Sequence, residues 1–327
     1  AVLGVLIGTF TYSLLVLRAV QSESDEDPAF IPRVAATLAV VLVLISIGFL
    51  IYFIDHASKS IQLSVILDRV TRQTKEYVAD RFPRHDEKGT ERREAAEWEE
   101  PEGEPYAVAA RSAGYLQAVD DGSLVKLSRE RELWIRMEPH IGQYLLAGRP
   151  VASVWPADAV DGELEKSVRK AFVLGHEPTP EQDIEFGVVE IADIAIKALS
   201  PSVNDPTTAL RCLDRLAEIL VTIGVGPSSP ASRHRQDPVR FRAVPLDYER
   251  VVGLAFDQIR HYGASNPTVA RKMVDLLTQM VSVLPPHRHA ALQAQLGAIV
   301  ADARAEIRSQ IELAAFERML VRNGIRL

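Results

Sequence analysis

The residues with the most capacity for chemistry lie between positions 183 and 208. Asp183, Glu190, Asp193 and Lys197 recur on one side of a helical pattern, with Asp193 and Lys197 four residues apart. Carboxylates so spaced can bind a metal or move protons; they can equally form a solvated face with one ion pair. The next stretch, ALSPSVNDPTTALRCLDRL (198–216), gathers Ser200, Ser202, Asn204, Asp205, Thr207 and Thr208 in a short elbow. Hydroxyls grouped at a helix N-terminus can hold an anion, because the first amides of a helix lack intrahelical partners. Capping explains the same residues without a ligand: Asn204 or Asp205 caps a helix that Pro206 opens. Ser–His–Asp catalysis fails, since no G-x-S-x-G turn or positioned histidine accompanies the serines.

Other reactive residues are scattered. His56 beside Asp55 at the end of an apolar run can sense protons or coordinate an ion, or simply mark a membrane boundary. His287 and His289 are two apart, with no third ligand fixed nearby. Cys212 is the single cysteine, which excludes a disulfide framework or a Cys-rich zinc module. No catalytic set, metal or cofactor is expected.

The elements that position these residues begin with two apolar runs. Val34 to Ile54 is free of charge and, at about 1.5 Å per residue, matches a hydrocarbon core of roughly 30 Å. Tyr52 and Phe53 sit where interfacial aromatics belong. Ala1 to Leu17 is also uncharged and reads as the tail of a membrane helix whose start is missing. Its Gly4 and Gly8 form a G-x-x-x-G pair that would let another helix approach closely. The link between the runs carries Glu23, Asp25, Glu26 and Asp27, with Arg18 and Arg33 at its ends. Lys59, Arg69, Arg72, Lys75, Arg81 and Arg84 follow the second run. Six cations against two put the long C-terminal part in the cytoplasm and the acidic tip outside.

From Asp55 to Phe82 no Gly or Pro interrupts the chain, so the second helix is expected to continue beyond the membrane. Leu63, Leu67, Val70, Thr74 and Tyr77 alternate at four and three. That seam fits a coiled coil between subunits or packing on the protein's own domain. Residues 85–105 then hold nine acids against three Lys or Arg, a solvated linker. The chain has a formal net charge of −7 and no basic–aromatic interleaving, so nucleic acid is not an expected partner.

After the linker the period shortens. YAVAA (106–110), GYLQAV (114–119), SLVKL (123–127) and ELWIRME (132–138) read as strands, and Asp121-Gly122 as a hairpin turn. Gly142 and Gly148 flank another short strand, which suggests a small flattened barrel resembling lipoyl-like modules. No lysine stands in the 120–122 turn to carry a swinging arm. Residues 162–175 and most of the chain beyond 180 read as helices. Thr179-Pro180-Glu181-Gln182 fits a capping box, VRFRAV (239–244) a strand, and 247–262, 267–284 and 287–320 further helices.

Four stretches carry a family resemblance: YFIDHASKSIQLSVI (52–66), GYLQAVD (114–120), PEQDIEFGVVEIADIAIKALSPSVNDPTTA (180–209) and AFDQIR (255–260). Through them the chain resembles a bacterial family of predicted membrane proteins, the domain of unknown function 2254. The resemblance implies further membrane helices upstream and a cytoplasmic C-terminal region. The family pattern differs at Asp55 and Ser202, which speaks against an essential role for either.

The fold class is therefore an α+β membrane protein: N-terminal transmembrane helices, a small flattened β-barrel-like unit and a mostly helical cytosolic domain. The divisions fall at 1–84, 85–105, 106–158 and 159–327. The expected setting is the bacterial inner membrane, multi-pass, with the lipid bilayer and a second copy of the chain as partners. A homo-oligomeric protein that regulates permeation through a cytosolic gating domain is the leading reading. A membrane-anchored scaffold or sensor is the alternative. Gly4, Gly8, Leu63 and Leu67 are the helix-packing candidates, Asp55 and His56 those of the membrane juncture. Ser200, Asn204, Asp205, Thr207 and Thr208 are the ligand-binding candidates.

Overall fold

The computed structural model of the chain describes residues 2–19, 33–60, 63–81, 98, 100–180, 182–226 and 240–325. They belong to two units, residues 1–68 and 69–327. In the first unit, helix α1 (Val2–Ala19) lies antiparallel to helix α2 (Arg33–Ser60). The Thr9 and Ser46 hydroxyls meet at 2.7 Å in a buried pair, and the Tyr12 hydroxyl donates to the Ala35 carbonyl at 3.5 Å. A hydroxyl pair between apolar helices suits an environment that offers no water to compete for it.

Within α2, Arg33–Phe53 has a mean hydropathy of 2.9 over 21 residues, and only 6% of it is buried in the chain. Among the described residues it is the helix long and apolar enough to cross a membrane; Gly4–Arg18 of α1 is apolar but shorter. A core helix would cover such residues with protein. Here Val34, Leu44 and Ile51 stand exposed, so the described residues do not bury α2 as a core helix. Gly4 and Gly8 have open space where a Cβ would project, so α1 does not use them against α2.

Helix α3 (Leu63–Arg81) follows, and residues 61–62 between the helices lie outside the described set. The side chains of Asp55, His56 and Leu63 lie outside it too. Leu67, Val70, Thr74 and Val78 are buried within this chain.

The second unit holds two open antiparallel-rich sheets. One has the order β1 (Tyr106–Ala109), β5 (Pro150–Trp155), β3 (Trp134–Met137), β7 (Phe241–Arg242); the other β4 (Tyr144–Leu145), β2 (Gly114–Val119), β6 (Phe172–Gly175). Trp134 pairs with Trp155 and Tyr106 with Val154, while β7 adds to β3 in parallel, Ile135 opposite Phe241. Val108, Leu116, Leu124, Ile135, Val154 and Val168 form the apolar centre.

The expected small barrel is not formed: the sheets stay open. Two sequence signals had other meanings. Residues 121–130 form helix α4 (Asp121–Glu130), because the Asp120 carboxylate caps it through the Ser123 amide at 3.0 Å. SLVKL is thus helical, burying Leu124, Val125 and Ser128 on one face, and Asp121-Gly122 is a helix start rather than a hairpin. Helix α5 (Gly162–Lys170) stops early, and 172–175 turns into β6, which pairs with β2.

The remainder is helical: α6 (Ile184–Leu199), α7 (Pro206–Gly224), α8 (Tyr248–Gly263), α9 (Pro267–Val283), α10 (His289–Glu306) and α11 (Gln310–Arg322). Helix α6 packs on α7 and α8, α9 on α7 and α10, and α11 on α9. Leu213, Leu216, Phe256, Ile259, Leu277, Ile299 and Phe316 are fully buried there. The single helix expected over 287–320 breaks after Glu306, because the Ser309 hydroxyl accepts the Glu312 amide and starts α11.

Candidate functional site

Helix α6 has a polar junction at its start, a glycine contact on its first turn and the hydroxyl elbow at its end. The expected capping box at Thr179 is replaced by Asp183, which accepts the Phe186 amide at 3.0 Å. Gln182 instead takes the Val119 amide of β2 at 3.0 Å, tying the sheet to the helix.

Asp183 is buried, and it lies against Gly142 of the β3–β4 connection. A Cβ at Gly142 would fall 2.7 Å from the Asp183 Cγ, and Gly142 has a φ of +84°, so both space and backbone demand glycine. On the same connection His140 Nε2 lies 3.2 Å from Arg250 Nη2 and 4.0 Å from Glu185. Arg250, on the first turn of α8, donates through Nε to both Glu185 oxygens at 3.0 Å. Burial pushes the Asp183 carboxyl up to about 6, opposed by the Phe186 amide. Burial also lowers the His140 pKa, with Glu185 raising it and Arg250 lowering it. Four ionisable side chains from three chain segments therefore meet where the β unit joins the helices. Among the described residues no group of three or more His, Cys, Asp or Glu is placed to hold a metal.

One turn on, Gly187 faces α3. A Cβ at Gly187 would overlap the Thr74 hydroxyl and lie 3.1 Å from the Thr74 Cβ. Thr74 cannot swing aside freely, because it is β-branched and its Oγ1 donates to the Val70 carbonyl at 2.9 Å. Beside it, Lys75 pairs with Glu218 of α7, and that ammonium holds the Glu218 carboxyl below its usual range. The α6–α7 hairpin thus cradles α3.

At the far end of α6, the elbow residues come together, mainly as caps. The Ser200 hydroxyl donates to the Lys197 carbonyl at 2.7 Å and lies 3.2 Å from the Ser202 hydroxyl. Asn204 takes a φ of +46°, a left-handed turn that asparagine tolerates. Asp205 accepts the Thr208 amide at 3.1 Å and its hydroxyl at 2.6 Å, which lowers the Asp205 pKa. Thr207 is exposed. Asp193 and Lys197 are exposed too, and among the described residues no ion pair joins them. With Asp205 as a cap, Asp205→Asn is expected to keep the thermal midpoint, because asparagine caps as well as aspartate. Asp205→Ala is expected to lower it. Loss of function in a stably folded Asp205→Asn protein would show instead that the charge itself is used.

Two sequence candidates are structural. Cys212 is fully buried, and burial pushes its thiol up to about 12. The His289 Nε2 lies 2.8 Å from the Leu284 carbonyl. The residues that sequence reasoning missed are His140, Arg250 and Gly187. Of these, only Gly187 carried a signal, as a glycine inside an otherwise helical run.

Among the described residues, one apolar, exposed helix long enough to cross a membrane precedes a mixed helical and sheet region in the chain, the pattern of a membrane-anchored α+β class. The chain belongs to the family described as predicted membrane protein (DUF2254), which matches residues 1–279. It is 31% identical over 326 residues to uncharacterised proteins of Mycobacterium bovis and Mycobacterium tuberculosis strain H37Rv, covering 96% of this chain. An uncharacterised protein of M. tuberculosis strain CDC 1551 is 30% identical over the same length. The chain spans 60% of the length of these relatives. No solved structure matches the chain significantly.

Proposed function

We propose that this chain is part of a multi-pass inner-membrane protein whose C-terminal region lies in the cytoplasm and acts on the membrane helices through α3. The observation that carries this reading is the seat of α3 in the α6–α7 hairpin, with Thr74 on Gly187 and Lys75 on Glu218. The helix that succeeds α2 in the chain rests on Gly187 of the recognisable 180–209 motif and pairs with Glu218 of the helix that motif opens. A ligand or partner that shifts that hairpin must move α3. This is the anchored-sensor reading, with the bilayer as its obligatory partner, and it needs no polar group inside the membrane.

A homo-oligomer that regulates permeation is the second reading, favoured by one observation. Gly4 and Gly8 face open space on α1, a surface onto which a helix of another copy can pack closely. Against it, residues 2–17 and 34–54 contain no Asp, Glu, Lys or Arg, the usual mark of an ion pathway.

Topology is tested by thiol labelling, since buried Cys212 leaves little background. A cysteine placed at Ser24 is expected to react with an impermeant reagent in intact cells, and one at Thr90 is not; both positions lie outside the described residues. The reverse pattern ends the proposal. Ion flux from liposomes carrying the full-length protein then separates the readings: a flux supports permeation, and its absence the sensor.

A further inference from the structure

The α9–α11 groove, away from the α6 hairpin, holds an unusual set of cations. It is an open depression of about 610 Å³ lined by Arg271, Ala315, Arg318, Met319, Val321 and Arg322. Elsewhere in this region four cations meet a carboxylate on a neighbouring helix. Arg250 meets Glu185, Arg260 meets Asp302, Lys272 meets Asp214 and Arg304 meets Glu317. The groove breaks that pattern. Among the described residues, neither Arg318 nor Arg322 has a carboxylate partner, and Arg271 uses only its Nε, donating to the Pro267 carbonyl at 3.0 Å. The nearby acid Asp275, one turn along α9, already accepts the Asn323 amide at 3.1 Å.

Arg318 and Arg322 are also four apart on one helix, a mildly unfavourable like-charge spacing that the C-terminal dipole of α11 offsets at Arg322, leaving both guanidinium groups open to an anion. The chain as a whole is acidic, with a net charge of −7, so this cationic cluster is not a consequence of composition. Its floor is apolar, from Ala315 and the buried Met319. By helical spacing Ile311, 82% exposed, continues the same stripe of α11 one turn before Ala315.

We propose that this groove binds a phosphate-bearing anion, with the three guanidinium groups gripping the phosphate and the apolar floor contacting whatever it is attached to. Guanidinium forks match phosphate oxygens two at a time, and a phosphate dianion relieves the mutual repulsion of the three arginines. The phosphate belongs either to a soluble compound or to an anionic lipid headgroup, and the two are separable by experiment.

The full chain is held in phosphatidylcholine nanodiscs and titrated calorimetrically with inorganic pyrophosphate. A second preparation contains phosphatidylglycerol. Both are repeated with the exposed pair replaced, Arg318→Gln with Arg322→Gln, and with Arg149→Gln as a control on the β unit. A soluble ligand predicts pyrophosphate binding that weakens about a hundredfold in the double variant, at roughly tenfold per arginine, and is unchanged in the control. A lipid source predicts no pyrophosphate binding but a thermal midpoint raised by phosphatidylglycerol in the wild type and not in the double variant. Either result supports the site. Absence of both effects, or an equal loss in Arg149→Gln, overturns it.

Discussion

Gly187→Ala is expected to loosen α3 from the α6–α7 hairpin and to destabilise the folded second unit by about 1–3 kcal/mol, the usual cost of forcing a methyl group into a filled contact. The sign is informative, because alanine in the middle of a helix otherwise gains roughly 1 kcal/mol over glycine. Gly187 lies inside α6, so propensity alone predicts stabilisation. The contact decides against it. The new Cβ would overlap the Thr74 hydroxyl and come within 3.2 Å of its Cγ2. The Thr74 hydroxyl is tied to Val70, and Val70 and Val78 are buried, so the strain is relieved by moving the helix.

The test is a double-mutant cycle read by thermal unfolding and by amide exchange along α3. Thr74→Ala removes both the hydroxyl and Cγ2, leaving only the Thr74 Cβ at 3.1 Å, a tight contact that a shift of a few tenths of an ångström relieves. In that background Gly187→Ala is expected to cost less than about 1 kcal/mol, with amide protection of α3 restored. Equal costs in both backgrounds would mean that Thr74 does not sit on Gly187, and the cradle at the centre of the proposed function would be lost. Where activity is a flux, the single variant changes it and the double variant restores it.

The sequence showed the anatomy more clearly than the connections. The apolar run of α2, the Asp205–Pro206 and Asn266–Pro267 helix starts and the short strand at 241–242 are local features, and local rules found them. The errors came from signals with two local solutions. Asp-Gly starts a hairpin or follows a helix cap, and the Ser123 amide on Asp120 selected the cap. Residues 172–175 read as the end of a helix but pair with β2, a partner more than fifty residues away whose demand no local pattern shows. The α6 start moved from Thr179 to Asp183 for the same reason, since Gln182 is drawn to the Val119 amide of β2.

The site was legible only in halves. The carboxylates of α6 and the elbow hydroxyls stand out by type and spacing, yet the elbow's oxygens are mostly spent on helix ends. Asp183 gains its character from residues that spacing cannot link to it. His140 and Arg250 are 110 positions apart, and Gly142 matters through an absent Cβ. Periodicity reports faces of one element; this junction is made where three segments cross.

That junction yields the second large effect. Asp183→Asn is expected to stabilise the protein at pH 7 by roughly 2–3 kcal/mol and to leave stability unchanged below about pH 4. The folded carboxyl is pushed up to about 6 from an ordinary 3.8, chiefly by burial. Its stabilising contribution is therefore complete below the unfolded value and is lost as pH rises through the folded one, a window from 3.8 to about 6. Asparagine keeps the cap on the Phe186 amide and never ionises, so the loss disappears. His140 acts with the opposite sign: its lowered pKa means that stability is gained as pH rises toward its ordinary value of 6.5. The charged groups facing Asp183 are Glu185 on its own helix and Arg250 on α8. Because His140→Gln leaves the Asp183 window intact, unfolding curves of both variants against pH assign each slope to its residue. A difference between wild type and Asp183→Asn that stays flat from pH 4 to 7 would show that Asp183 is not held protonated by its surroundings. A sloping difference would mean that the chain retains a buried carboxylate at a stability cost near neutral pH. Costs of that kind persist at positions that serve function, and this one sits where the β unit meets the helix that cradles α3.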